Sequence, residues 1–175
     1  MMRTYFPRHH YGVRHEQDGI IHCLGQDLTA VCRYTLEFPE SPPRAIMQYT
    51  GLAGLHRMQQ SRFSSRYQSM TNLHDAFPWK VAVQLGLSMT HDGEPEACYD
   101  HAVANDELEG GLDPLARMVT DVAAPLFLRV GYECNGAWNG YTPGAYIRAF
   151  RRIAERLGGL SERPALVWCV AAEGN

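Results

Sequence analysis

Pro125-Leu126-Phe127-Leu128-Arg129-Val130-Gly131-Tyr132-Glu133-Cys134-Asn135-Gly136-Ala137-Trp138-Asn139-Gly140-Tyr141 is the stretch on which the reading of this chain turns. An apolar run ends in a carboxylate, and a loop rich in Gly, Asn and aromatic residues follows it. Within 126–133 one parity carries Leu126, Leu128 and Val130, and the other carries Phe127, Arg129, Gly131 and Glu133. Successive side chains on a strand point to opposite faces. The run therefore predicts a strand with one greasy face and one polar or small face. Arg129 shares its parity with Glu133, and a buried guanidinium is expensive unless paired. A carboxylate or several carbonyls are expected around it.

Immediately downstream, Tyr146, Phe150, Ile153 and Leu157 recur at helical spacing, with Arg148, Arg151, Arg152 and Glu155 on the opposite side. Thr142-Pro143 starts that helix and Gly158-Gly159 stops it. Other short apolar runs lie at 19–22, 45–50, 81–88 and 165–171, and helical patterns lie at 28–38, 55–67 and 113–122. Strands alternating with helices specify βαβ units and a parallel sheet. Residues 81–88 repeat the two-faced pattern, with Val81, Val83, Leu85 and Leu87 on one parity and Gln84, Gly86 and Ser88 on the other. A doubly wound sheet would be apolar on both faces. A barrel carries helices outside only, and its interior can hold polar groups near the active end. The expected fold class is therefore α/β, a partial (β/α)8 TIM barrel of about five strand–helix units. Residues 1–18 read as an irregular arm and 19–175 as the incomplete catalytic barrel. In such a barrel Glu133 falls at the C-terminal mouth of the strands, where active sites lie.

The segment Arg129-Val-Gly-Tyr-Glu-Cys-Asn-Gly-Ala-Trp-Asn-Gly-Tyr resembles the strand-4 signature of clan A glycoside hydrolases, closest to the β-mannanase-like family 26 and its relatives. The regions His22–Asp27, Gln84–Gly93 and Val167–Gly174 are similar to other strand ends of such proteins. Tyr132 stands where mannanases of that family carry His. The resemblance implies a retaining, endo-acting glycosidase on β-linked oligo- or polysaccharide, with Glu133 as acid/base. It also implies a nucleophile Glu at the end of strand 7. The sequence runs through about strand 5, and an intact relative needs ~250 residues. The chain is accordingly expected to be a fragment, carrying the acid/base without the nucleophile and hydrolysing β-glycans poorly.

Sugar rings need flat apolar surfaces and hydroxyl partners. Trp138, Tyr141, Asn135, Tyr132, Tyr49, Gln84 and His91 are the candidate substrate-binding residues, and Trp168, sharing the parity of Leu166 and Val170, is expected to pack against helices. Glu173 is a weak second carboxylate. His91, Asp92, Glu94 and His101 match no standard metal-ligand spacing, so neither metal nor cofactor is expected. Cys23, Cys32, Cys98, Cys134 and Cys169 are odd in number and lack a CxxC pair, and read as free buried thiols.

The 175 residues suffice for one domain with a core, and 45% hydrophobic with 20% charged residues is ordinary for a globular protein. A net charge of -3 gives no footprint for nucleic acid or an anionic membrane. No run approaches the roughly 20 apolar residues of a membrane span, and the first residues lack the apolar core of a secretory signal. As it stands the chain reads as cytoplasmic, while its oligomeric state is undetermined. Two rival readings are a non-catalytic carbohydrate-binding barrel and an unrelated parallel α/β protein.

Overall fold

The computed structural model describes residues 21–53, 55, 81–91, 94–122 and 124–172. Five parallel strands form one sheet in sequence order: β1 (Cys23–Gly25), β2 (Ala45–Gly51), β3 (Ala82–Ser88), β6 (Leu126–Val130) and β7 (Ala165–Val167). Between β3 and β6 lies a short antiparallel hairpin, β4 (Thr90–His91) with β5 (Glu94–Cys98). The helices are α1 (Leu28–Glu37), α2 (Asp100–Asn105), α3 (Asp113–Asp121) and α4 (Pro143–Gly158).

Both two-faced strands sort their faces as alternation requires. Val83, Leu85 and Leu87 of β3 and Leu126, Leu128 and Val130 of β6 join one buried cluster with Val103 of α2, Leu115, Met118 and Val119 of α3, and Ala149, Ile153 and Leu157 of α4. Val31 of α1 packs with Ile46 and Val81, with Leu24 against them. Every described helix therefore packs on one face of the sheet. Leu85 and Leu128 are 0% exposed, and burial of such a side chain stabilises by roughly 1.5–3 kcal/mol. The other face carries Met47, Tyr49, Gln84, Phe127 and Arg129, all half-buried and none within either cluster.

The first strand begins later than the expected 19–22. His22 carbonyl oxygen already accepts the N–H groups of Arg44 and Ala45, and β1 pairs Cys23 with Ala45. Asp27 then caps α1, its Oδ1 accepting from Thr29 N at 2.8 Å and Ala30 N at 3.4 Å. The last strand is also shorter than 165–171, ending at Val167. The hairpin and α2 were not foreseen. Their segments are too short for periodicity to register. The helical pattern at 55–67 and the arm at 1–18 lie outside the described residues, apart from Leu55.

On α4 the arginine face is partly paired at the surface, Arg152 with Asp106 at 2.7 Å and Arg156 with Asp113 at 2.9 Å. Such exposed pairs contribute about 0–1 kcal/mol. The cysteines are free but not fully buried, with Cys23 and Cys32 exposed and the other three half-buried, which corrects the expectation of buried thiols. Among the described residues no helix is long and apolar enough to cross a membrane.

Candidate active site at the C-terminal rim of the sheet

The strand that leads to Glu133 ends at Val130, three residues earlier than the alternation suggested. Gly131 turns into the left-handed region at φ 52°. A Cβ there would lie 2.7 Å from the Tyr146 ring and 2.8 Å from the Met89 methyl, so only glycine fits both the space and the angle. The parity relation between Arg129 and Glu133 therefore does not carry through, because the chain leaves the sheet between them.

Glu133 itself has φ 54°, a conformation costly for a residue with a Cβ. Its carbonyl is held by Gly136 N at 2.8 Å and by Asn139 Nδ2 at 2.9 Å. Asn139 is buried and its amide also donates to Tyr132 O at 3.2 Å. Strained non-glycine residues held by such over-determined bonding occur at functional sites. Asn139 was not singled out from sequence, since its role depends on a 3-10 turn (Ala137–Asn139) that folds it back under the loop.

The Glu133 side chain meets Trp138, whose Nε1 donates to Oε2 at 3.0 Å. Indole N–H is a donor only. Oε2 is therefore an acceptor here, and Oε1 is the oxygen left facing away from the indole bond. Trp138 is 55% exposed, so a large part of its ring remains open to a flat ligand. The indole rests against Gly136. A Cβ on Gly136 would stand 2.4 Å from Trp138 Cε2 and 2.9 Å from Nε1. Gly136 has φ -74°, which alanine tolerates, so Gly136→Ala acts through the indole and not the backbone. We expect it to swing Trp138 off Glu133 and shift the tryptophan fluorescence, with stability changed by less than ~1 kcal/mol because the ring can move into solvent. Unchanged fluorescence would disprove this positioning role.

The remaining candidates divide. Tyr49 and Tyr132 pack edge to face with centroids 5.1 Å apart. Both rings close over Gly86, where a Cβ would meet Tyr49 at 2.5 Å and Tyr132 at 3.1 Å. Tyr49, Gly86 and Arg129 are register partners across β2, β3 and β6, and Gln84 lies one row below, beside Met47 and Phe127. Asn135 clasps the loop after β7, donating to Ala171 O at 3.1 Å and accepting from Ala171 N at 2.7 Å. Tyr141 turns inward. Its hydroxyl accepts from Met89 N at 3.0 Å, its ring packs against Tyr146, and burial pushes its pKa up to about 12. The His91 side chain and Glu173 lie outside the described residues.

Arg129 finds no carboxylate among the described residues, contrary to expectation. Its neighbours are Cys169 Sγ at 3.0 Å, Met47 Sδ at 3.4 Å and the rings of Tyr49 and Tyr132. Trp168 does not pack under helices. It is 69% exposed, with Nε1 donating to Cys134 Sγ at 3.1 Å. No group of three or more metal-ligating side chains occurs among the described residues.

Asp100, the first residue of α2, is 0% exposed and was missed in the sequence, where nothing distinguishes it from other loop acids. Its Oδ1 accepts from His101 N at 2.9 Å and its Oδ2 from Thr142 N at 2.8 Å. Thr142 is the N-cap of α4. The carboxylate thus anchors the downstream end of the Glu133 loop from a different helix, at the positive end of the α4 dipole. Cys98 of β5 adds a second tie, donating to Asn139 O at 3.0 Å.

No family model matches the chain. It is similar to two curated proteins. One is the beta-1,3-xylanase TXYA of a Vibrio species, 26% identical over 157 residues. The other is a beta-1,3-xylanase of an Alcaligenes species, 23% identical over 158 residues. The matches cover 88% and 89% of this chain and 32% of each relative. The chain thus spans about a third of the length of the curated relatives it matches.

Proposed function

We propose that this chain is the acid/base-bearing part of a glycoside hydrolase acting on a β-linked polysaccharide, its sheet the opening five strand–helix units of a (β/α)8 barrel. The observation that carries the reading is Glu133. It stands at the C-terminal rim of a parallel sheet, in a strained turn, with one carboxylate oxygen tied to an exposed indole. A sheet with helices on one face and half-open polar residues on the other supports the barrel, since a barrel lumen is such a face. Likeness to two xylanases makes a β-1,3-linked xylan the first substrate to try, ahead of mannan or mixed-linkage glucan. Kinship with family 26 of clan A belongs to the same proposal, as does the division into an arm at 1–18 and a barrel from 19 onward.

In this reading Glu133 Oε1 gives its proton to the glycosidic oxygen as the C1–O bond breaks, the bonding pair leaving with that oxygen. A second carboxylate attacks C1 on the opposite face, and Glu133 then takes a proton from the water that releases the sugar. Trp138 offers the ring surface, with Tyr49, Tyr132 and Gln84 along the polar face. No described carboxylate contacts Glu133, and Asp100 has both oxygens occupied. The second carboxylate is therefore unassigned.

Titration calorimetry of the chain with β-1,3-xylo-oligosaccharides, paired with product analysis on the polysaccharide, tests the proposal. Saturable binding that Trp138→Ala weakens at least about tenfold, the loss of ~1.4 kcal/mol of stacking, supports it. Binding without turnover by any polypeptide containing this segment would make it a carbohydrate-binding barrel. Failure to bind any β-glycan would remove the glycan reading.

A further inference from the structure

Glu133 holds a costly φ of 54°, and its carbonyl is fixed by Gly136 N and Asn139 Nδ2. Those bonds close the loop on itself and set its shape. Asp100 and Cys98 anchor its downstream end. The upstream end is fixed differently, from the β7 side. The parallel ladder of β6 and β7 has its last rung at Arg129 and Val167. Contact resumes where Cys134 N donates to Cys169 O at 3.2 Å. Between these two points one chain runs through Val130, Gly131, Tyr132 and Glu133, and the other through Trp168 alone. The longer chain has to bulge out of register, and Glu133 is the last residue of the bulge. Extra residues on one strand of a pair bend it and re-aim its side chains.

Asn135 closes the bulge. Its Nδ2 donates to Ala171 O at 3.1 Å, and its Oδ1 accepts from Ala171 N at 2.7 Å. A side-chain amide carries a donor and an acceptor in one plane, as a peptide group does. It therefore continues the pairing against Ala171 after the regular ladder has stopped. Trp168 Nε1 adds a further tie, donating to Cys134 Sγ at 3.1 Å. All of these bonds fall on Cys134 and Asn135, the two residues that follow Glu133. Both polar ends of the Asn135 amide are thus engaged by the chain itself.

We propose that Asn135 is a positioning residue for Glu133, its amide locking the bulge against segment 168–171 so that the carboxyl group keeps one orientation at the rim. This role rests on the reading of Glu133 as the general acid. Asn135 acts through Glu133 and exchanges no proton with the sugar. A misplacement of ~1 Å caused away from the chemistry can cost ~10²-fold in rate, so such a clasp has a measurable consequence.

Asn135→Leu tests it, since leucine keeps the size and neutrality of the side chain and removes both bonds. The first measurement needs no turnover. In the 15N-labelled full chain, amide hydrogen exchange at Ala171 and Cys134 should quicken about tenfold, the equivalent of ~1.4 kcal/mol of hydrogen bonding. In the chain labelled with 13C-glutamate, the carboxyl resonance of Glu133, identified by its disappearance in Glu133→Gln, should shift or broaden as well. Unchanged exchange overturns the proposal, because no clasp then exists. Faster exchange with an unmoved Glu133 signal overturns it too, because the clasp then serves segment 168–171 alone. The second measurement is a double-mutant cycle in the shortest polypeptide containing the chain that turns a β-1,3-linked xylan over. Asn135→Leu should lower kcat by about 10- to 100-fold with little change in KM, and less on an aryl xyloside with a good leaving group. In the Glu133→Gln background it should cost nothing further, since no general acid is left to position. A loss that persists in that background, or a raised KM with kcat kept, overturns the proposal and makes Asn135 a sugar contact. If Glu133→Gln slows both substrates equally, the acid reading fails, while the exchange rates and the carboxyl signal still decide whether Asn135 positions Glu133. Should Asn135→Leu fail to fold, Asn135→Ser, neutral and too short to span both Ala171 groups, gives the same readings.

Discussion

Glu133→Gln is expected to lower hydrolysis of a β-1,3-linked xylan by about 10²–10⁴-fold, the usual worth of a positioned general acid. It should slow an aryl xyloside with a good leaving group far less, since that leaving group departs without protonation. The measurement belongs in the shortest polypeptide containing the whole 175-residue sequence that turns the polysaccharide over. Glutamine keeps the size of the side chain and its acceptor for the Trp138 indole at 3.0 Å, so a loss would report the missing proton and not a collapsed loop. Circular dichroism and the tryptophan spectrum should therefore match the wild type. An equal loss on both substrates would take Glu133 out of the acid/base role and leave it as a binding or structural carboxylate.

The largest effect on stability is expected from Asp100→Ala, a loss of about 3–5 kcal/mol in urea unfolding. The carboxylate is 0% exposed and serves two backbone N–H groups at 2.9 and 2.8 Å. Hydrogen bonds to a charged group contribute roughly 1.5–3 kcal/mol each, and their loss leaves two part-buried backbone donors without this partner. Against a total stability of ~5–15 kcal/mol the variant would be close to unfolding at ordinary temperature. Asp100→Asn is the gentler probe. It keeps one acceptor and turns an NH2 group towards the second donor, so an intermediate loss is expected. A change below ~1 kcal/mol in the alanine variant would show that water replaces the carboxylate and that the Glu133 loop is anchored elsewhere. The same variant should weaken sugar binding where it still folds, since Thr142 ends the loop that presents Trp138.

These two residues mark how legible the chain was. Glu133 stood out in the sequence because an apolar run ending in a carboxylate is a local pattern, and Trp138 as an aromatic residue of the loop that follows, while the roles given to them came from the resemblance of that segment to a glycosidase signature. Asp100 was invisible because its partner Thr142 lies 42 residues away on another helix. Asn139 was missed for a similar reason, as only the folded loop brings its amide beneath Tyr132 and Glu133. Arg129 was correctly placed on the polar face, while the carboxylate or carbonyls expected beside it gave way, among the described residues, to two sulfurs and two rings.

The sequence by itself determined the parallel order of β1, β2, β3, β6 and β7 and the one-sided packing of helices. Both were read from the alternation along 81–88 and 126–133 and from the helical periods between strands, which are properties of neighbouring residues. Only the tertiary structure decided where β6 stops, at Gly131, whose left-handed turn lies where Tyr146 and Met89 from other segments leave no room for a Cβ. It likewise decided that Tyr141 faces the core and that Trp168 stands exposed. An aromatic residue has a body that packs and a polar edge that bonds. Which of the two it uses depends on groups brought near by folding, and the spacing of its own segment does not record them.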